Sequence, residues 1–312
     1  MRSTRSRPKR RPDTSVSATV RPLAHAWCFD ALGTRWEIST PVPLADVVAR
    51  RVTDELDRID RAWSRFRDDS TVAEIGRRAG RYPIAPADQP LVDWYRRLYD
   101  LTGGAVSPMV GQVLVDAGYD AGYSLAPKPE VAPAPWWEGV LAGHSGSLDV
   151  RHPVLLDVGA AGKGFAVDRV AGIVGEAVDS YVVDGSGDMR IRSSDGPLRV
   201  ALEHPLDAEK AIGVVELDDG AICASAANRR AWADWHHIID PRSASPAREV
   251  LASWVIAPDT MTADGLATAL FFTPASILRS AFDFHAAGFH HVTIRRNGTV
   301  EHTDIPGLEL FL

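Results

Sequence analysis

Apolar positions along the chain change period midway, and the change predicts a mixed architecture. In residues 43–61, Leu44, Val47, Val48, Val52, Leu56 and Ile59 recur every three or four positions, which lines them up on one face of a helix. Residues 88–101 repeat the pattern and stop at Gly103 and Gly104. Between these helices, SRFRDDSTVAEIG predicts a short helix carrying Val72 and Ile75, capped by Ser70 or Asp69. Residues 26–40 read as two strands turning at Gly33. Later segments read as strands: 154–158, 181–184, 250–257, and several across 198–225, broken at 203–210 and at Asp218-Asp219-Gly220. Helices are expected at 165–178, through 260–272 and at 275–286, with 291–304 closing as two edge strands. A Pro-rich stretch, 127–135, marks a surface loop.

With 312 residues, 45% of them hydrophobic, the chain can bury a substantial core. Charge divides it unevenly. The first 22 residues hold seven Lys or Arg against one Asp, so of the net −7 the body from residue 23 carries −13. That predicts a disordered basic tail, 1–22, too poor in apolar groups to dock, followed by one domain, 23–312. An acidic body argues against a nucleic-acid-binding surface. No apolar h-region follows the arginines and no run of 18 apolar residues occurs, so a cytoplasmic protein without a membrane anchor is expected. Two cysteines, Cys28 and Cys223, imply no disulfide framework.

Three stretches bear chemistry. In TMTADGLATALFF, residues 260–272, Asp264 and Thr268 stand one turn apart on the same helical face. Two oxygen ligands suit Mg²⁺, which completes its octahedron with water and phosphate oxygens. The alternative is a buried helix with Asp264 as its cap and Thr268 bonded back to its own backbone. In 154–178, strand, GAAGKG turn and helix follow one another, an order that gathers backbone N–H groups for an anion such as phosphate, although the P-loop spacing is absent. HHIIDPR, 236–242, sets His beside a loop; adjacent strand residues face opposite ways, so one of the two can serve a site.

In chain order, ALGT, SRFRDDSTVAEIG, GGAVSPMVG, LDVGAAGKGFAVD, DGSGDMR, HHIIDPR and TADGLATAL are similar to the motifs of the ApbE-type FAD:protein FMN transferases. The resemblance runs from about residue 32 to 272. It implies an α+β, T-fold-related body of antiparallel sheets with packed helices and the flavin site between them. It also implies transfer of the FMN half of FAD to a Thr or Ser hydroxyl of a target protein, releasing AMP. FAD would be the substrate and Mg²⁺ the cofactor, bound by Asp264, Thr268 and the backbone carbonyl of Ala160. His237 would be the catalytic base, acting with Asp264, as imidazole titrates near working pH. Leu32, Phe66, Ala105, Val106, Ser107, Asp157, Lys163 and Ile239 would contact FAD, with Asp157 accepting hydrogen bonds from sugar or base. Three positions depart from the family pattern: Ser107 stands for Asp, Leu32 for Met, and Ser243-Ala244 for Thr-Gly. Hydrolysis of FAD to FMN and AMP, and non-catalytic flavin binding, are the alternative outcomes for such a site.

Overall fold

The computed structural model describes residues 23–144, 146–281 and 288–311; the expected basic tail and the end of the helix predicted at 275–286 lie outside them. In chain order the elements begin with β1 His25–Ala31, β2 Thr34–Thr40, α1 Asp46–Trp63, α2 Thr71–Ile75, β3 Gly80–Pro83 and α3 Gln89–Leu101. Then come α4 Gly111–Asp116, α5 Trp137–Val140, β4 Leu141–His144, β5 Ser147–Val150 and α6 Gly162–Gly175. β6 Tyr181–Asp184, β7 Met189–Arg192, β8 Leu198–His204, β9 Asp207–Leu217 and β10 Asp219–Ala226 follow. Two-residue ladders join β11 Ala231–Trp232 to β12 Trp235–His236 and β13 Ile239–Asp240 to β14 Ser245–Pro246. The chain closes through β15 Val250–Ala257, α7 Thr260–Ala269, α8 Ala275–Ser280, β16 His290–Arg295, β17 Val300–His302 and β18 Glu309–Leu310.

The central sheet has eight strands in the order β1-β2-β6-β7-β10-β15-β16-β17, with every pairing antiparallel. Because strand side chains alternate, β10 sends Ala221 and Cys223 to one face and Ile222 to the other. Helices α1, α3, α6 and α7 pack on the first face with Val52, Leu98, Val167 and Leu266. On the second face lies the three-stranded sheet β18-β9-β8, contributing Val200, Leu202 and Val215. The expected α+β arrangement is therefore a sandwich of helices, large sheet and small sheet. No described helix is long and apolar enough to cross a membrane.

Several expectations need correction. Residues 154–158 form no strand: Val154 N–H bonds the Ile75 carbonyl (3.3 Å) and Asp157 N–H the Pro108 carbonyl (2.7 Å), so the extended segment threads between loops without a ladder neighbour. Its apolar run is explained by burial of Val154 and Leu156 alone. α6 starts three residues earlier than the periodicity suggests, taking Lys163 and Gly164 into the helix. The expected break at 203–210 shrinks to two residues, because β-bulges near Glu203 absorb the irregularity. Of the two closing strands, β17 is an edge, whereas β16 is flanked by β15 and β17.

Candidate active site

The site is built where α7 crosses the start of α6. α7 begins with its free amides satisfied: Asp259 accepts Thr262 N–H at 2.7 Å, and Asp168 of α6 accepts Thr260 and Met261 N–H at 2.9 and 2.8 Å. Asp259 is thus the cap, and the alternative in which Asp264 caps the helix is overturned. Asp264 lies a turn further in, 5% exposed, with Oδ2 accepting the Gly164 N–H at 2.9 Å. In a regular helix that amide would reach back to the Ala160 carbonyl. Its diversion to Asp264 leaves the Ala160 carbonyl without a hydrogen bond among the described residues. Thr268 stands one turn beyond Asp264, and its Oγ1 meets Ser225 Oγ at 3.4 Å. No group of three or more His, Cys, Asp or Glu converges for a metal among the described residues. One carboxylate, one hydroxyl and one freed carbonyl are nevertheless an oxygen set that fits Mg²⁺ sharing its shell with water and phosphate.

Burial and neighbouring charges set the field here. Burial first, and then Asp188, push the Asp264 carboxyl well above its usual range, against the opposing pull of Lys163 and the Gly164 N–H. Lys163 Nζ lies 2.8 Å from Asp188 Oδ2 and 3.3 Å from the Ser186 carbonyl. Burial works against its charge, but Asp188 and Asp264 outweigh it and raise its pKa.

The anticipated nest of amides is not available. Ala160 and Ala161 N–H both bond the Tyr95 hydroxyl (3.1 Å each), Gly159 N–H bonds Asp157 Oδ1 (2.7 Å), and Gly162 N–H bonds the Val158 carbonyl (2.7 Å). The glycine turn holds itself and Asp264 in place, and cationic Lys163 remains the group it can offer a phosphate.

An aromatic surface adjoins this centre through Asp157. Arg65, 8% exposed, pairs through Nε with Asp157 Oδ2 and lays its guanidinium 4.1 Å from the Phe66 ring centre. Tyr123 stacks on Phe66 with centroids 5.6 Å apart and planes at 7°, while Tyr119 meets its edge at 5.8 Å. Asp157 thus already accepts one hydrogen bond on each oxygen, from Arg65 and from Gly159. Ile239 packs with Tyr119 and Trp232. Ala105 and Val106 are buried, and Ser107 Oγ accepts Met109 N–H at 3.2 Å, capping the 3₁₀ turn Pro108–Val110 that meets Asp157. Leu32 lies at the β1–β2 turn with φ 50°, packed against the main core.

His236 and His237 do not share a strand; β12 ends at His236 and His237 lies in a bend. His236 Nε2 faces the Ala247 carbonyl at 2.6 Å and Nδ1 accepts Ile238 N–H at 3.3 Å, so its ring is structural. His237 donates its backbone N–H to the Arg230 carbonyl, while Nδ1 is buried without a partner among the described residues. Burial, then Arg230 and His236, push its pKa down to about 3. The expectation of titration near working pH is thereby overturned: the ring stays neutral. Arg65, Asp188 and Tyr95 were missed by sequence reasoning. Arg65 and Asp188 lie inside motifs already singled out, whereas Tyr95 is indistinguishable in sequence from a core helix residue.

The sequence model of the ApbE family matches residues 32–286. An FAD:protein FMN transferase of Haemophilus influenzae is 31% identical over 196 residues, 56% of this chain and 57% of that protein, so the match spans little more than half the relative's length. One from Klebsiella pneumoniae is 26% identical over 243 residues, 72% of this chain and 75% of its own. The crystal structure of an ApbE protein from Thermotoga maritima superposes with TM-score 0.78 at 24% identity, over 90% of this chain and 97% of the other. Flavin transferase ApbE from Vibrio cholerae gives 0.73 at 21% identity, over 91% and 97%. The family match covers most of the body and the fold is shared over about 90% of the chain; this chain belongs to the ApbE family.

Proposed function

We propose that this protein is an Mg²⁺-dependent FAD:protein FMN transferase that esterifies a Thr or Ser hydroxyl of a target protein with FMN and releases AMP. The observation that carries the reading is the diversion of the Gly164 amide to the buried Asp264 carboxylate, which frees the Ala160 carbonyl one helical turn before that amide. The names of the curated relatives support the same activity. In the reaction the acceptor oxygen forms a bond to the FMN phosphorus, the bond from that phosphorus to the bridging oxygen breaks, and AMP departs with that oxygen. Mg²⁺, when held by Asp264, Thr268 and the Ala160 carbonyl, supplies positive charge to the diphosphate oxygens. Lys163 adds a second cation there. His237, neutral and with Nδ1 unpartnered, takes the hydroxyl proton. A ring of FAD that packs on Phe66 must displace Tyr123 or Arg65, both of which lie against that ring.

The test is to incubate the protein with FAD and Mg²⁺, with and without a flavoprotein target, and follow AMP release alongside the mass of the target. Covalent gain of FMN is expected, and Asp264→Ala should abolish it while the protein stays folded. Wild-type activity in that variant overturns the site. AMP release with no mass gain on any target would instead make the protein an FAD pyrophosphatase.

A further inference from the structure

Asp188 is 0% exposed and its carboxylate has no hydrogen-bond donor aligned on it among the described residues; its counter-charge is Lys163 Nζ, 2.8 Å from Oδ2. The residue is placed by the hairpin between β6 and β7. Ser186 and Gly187 both turn left-handed, with φ 63° and 95°, and Gly185 N–H closes the turn on the Asp188 carbonyl at 2.9 Å. The same turn presents the Ser186 carbonyl to Lys163. Lys163 thus spans from α6 to the turn, gripped by one carboxylate and one carbonyl of a single hairpin.

Its neighbour in sequence, Gly164, holds Asp264. The ammonium therefore feels two carboxylates, and with its side chain only 27% exposed it stays close to one of them. Were Asp188 absent, Lys163 would turn to Asp264 and compete with any cation for it. Charge counting gives the same answer. Asp188, Asp264 and Lys163 together leave one negative charge, whereas Asp264 and Lys163 alone leave none and have no field to draw in a divalent ion. We propose that Asp188 is a positioning residue that holds the Lys163 ammonium on the β6–β7 turn and so keeps Asp264 open to a divalent cation. This rests on the Mg²⁺ reading above and goes beyond it by giving Asp188 a role without contact to metal or substrate.

Mn²⁺ titrated into the full-length protein, alone and with AMP present, tests the idea through metal affinity rather than turnover. Asp188→Asn keeps the shape and removes the charge, and should weaken Mn²⁺ binding by roughly tenfold or more, as expected for the loss of one nearby charge. Lys163→Met in the same chain should restore the affinity to within about threefold of wild type, since the competitor and the charge that Asp188 balanced leave together. Thermal unfolding of each variant checks that it folds; if Asp188→Asn alone does not, the double variant against wild type still decides. A folded double variant that stays as weak as Asp188→Asn overturns the proposal, because Asp188 would then be a ligand or a purely structural group. Failure of wild type to bind Mn²⁺ under either condition overturns the metal reading itself; wild-type binding with no rescue overturns this inference alone.

Discussion

At Ala244 the backbone adopts φ 48°, a conformation that costs an L-residue roughly 1–2 kcal/mol and glycine almost nothing. The turn after Asp240-Pro241-Arg242 is tied by Arg242 N–H to Asp240 Oδ1 at 2.9 Å, so it cannot relax elsewhere. Ala244→Gly should therefore raise stability by about 0.5–1 kcal/mol, the strain relieved less the extra entropy glycine loses. Urea unfolding reads it directly, and a lower midpoint would show that the methyl's packing in its apolar cluster matters more. His237 poses the chemical question at the same scale. As the proposed base, His237 has a pKa held near 3, which keeps it unprotonated but weak, so His237→Ala should slow transfer by about 10²-fold, the low end of general-base effects, with FAD affinity little changed. The wild-type rate should show no acid limb from this group between pH 5 and 8. Equal loss of FAD binding and rate would remove it from the role of base. That a His precedes the Ile-Ile-Asp-Pro turn was legible in sequence. Its protonation state was not, since burial beside Arg230 is set by residues folded against it.

Between elements, the decisive contact is the crossing of α6 and α7. A Cβ on Gly164 would lie 2.3 Å from the Thr260 carbonyl oxygen and 2.8 Å from Asp264 Cβ, and one on Gly265 would lie 2.4 Å from Trp94 Nε1 of α3. α7 is thus clamped from both sides by glycines that allow close approach, and Asp264 and its amide donor are brought together by the same clamp. Gly164→Ala should destabilise by about 1–3 kcal/mol through overpacking and lower AMP release further than its stability loss explains, because the Asp264–Gly164 bond cannot survive displaced helices. Calorimetry with single-turnover assays on the folded fraction checks this, and wild-type melting would refute it. Helix positions at this level were well marked by period and by turn residues. The strand expected at 154–158 was not there, because an apolar run records burial while a strand needs a neighbour, and the neighbours here are loops.

For the molecule as a whole, acid should be more damaging than base. His237 and His291 are held neutral with pKa values near 3 and 4, His291 chiefly by burial and then by Arg279. An unfolded imidazole takes its proton near 6.5, so the stability they confer is complete above that value and is lost as pH falls toward the folded values. At pH 5 each accounts for roughly 2 kcal/mol. Asp168 works the other way: burial raises its carboxyl to about 6, so the stability it confers is full below the unfolded carboxyl range and is lost as pH rises to about 6. The two imidazoles outweigh Asp168, so the Tm of an Asp264→Asn variant, which removes the other raised carboxyl, should drop between pH 7 and 5. His291→Asn, remote from the site, should shrink that drop by about half. An unchanged difference would place the acid sensitivity elsewhere.

What the sequence by itself determined is the local and the chemical. Helical stripes, turn residues and the order of seven short motifs identified the family, the α+β class and the helix bearing Asp264 and Thr268, because each of those signals is written within a few consecutive residues. What only the tertiary structure decided is which partners those residues face. Whether the glycine turn offers its amides to a ligand or to Tyr95, whether Asp157 is open or paired with Arg65, and whether Lys163 leans on Asp188 or Asp264 depend on groups far apart in the chain. Burial and charge at such a site are properties of the packed neighbours, and no spacing along one segment encodes them.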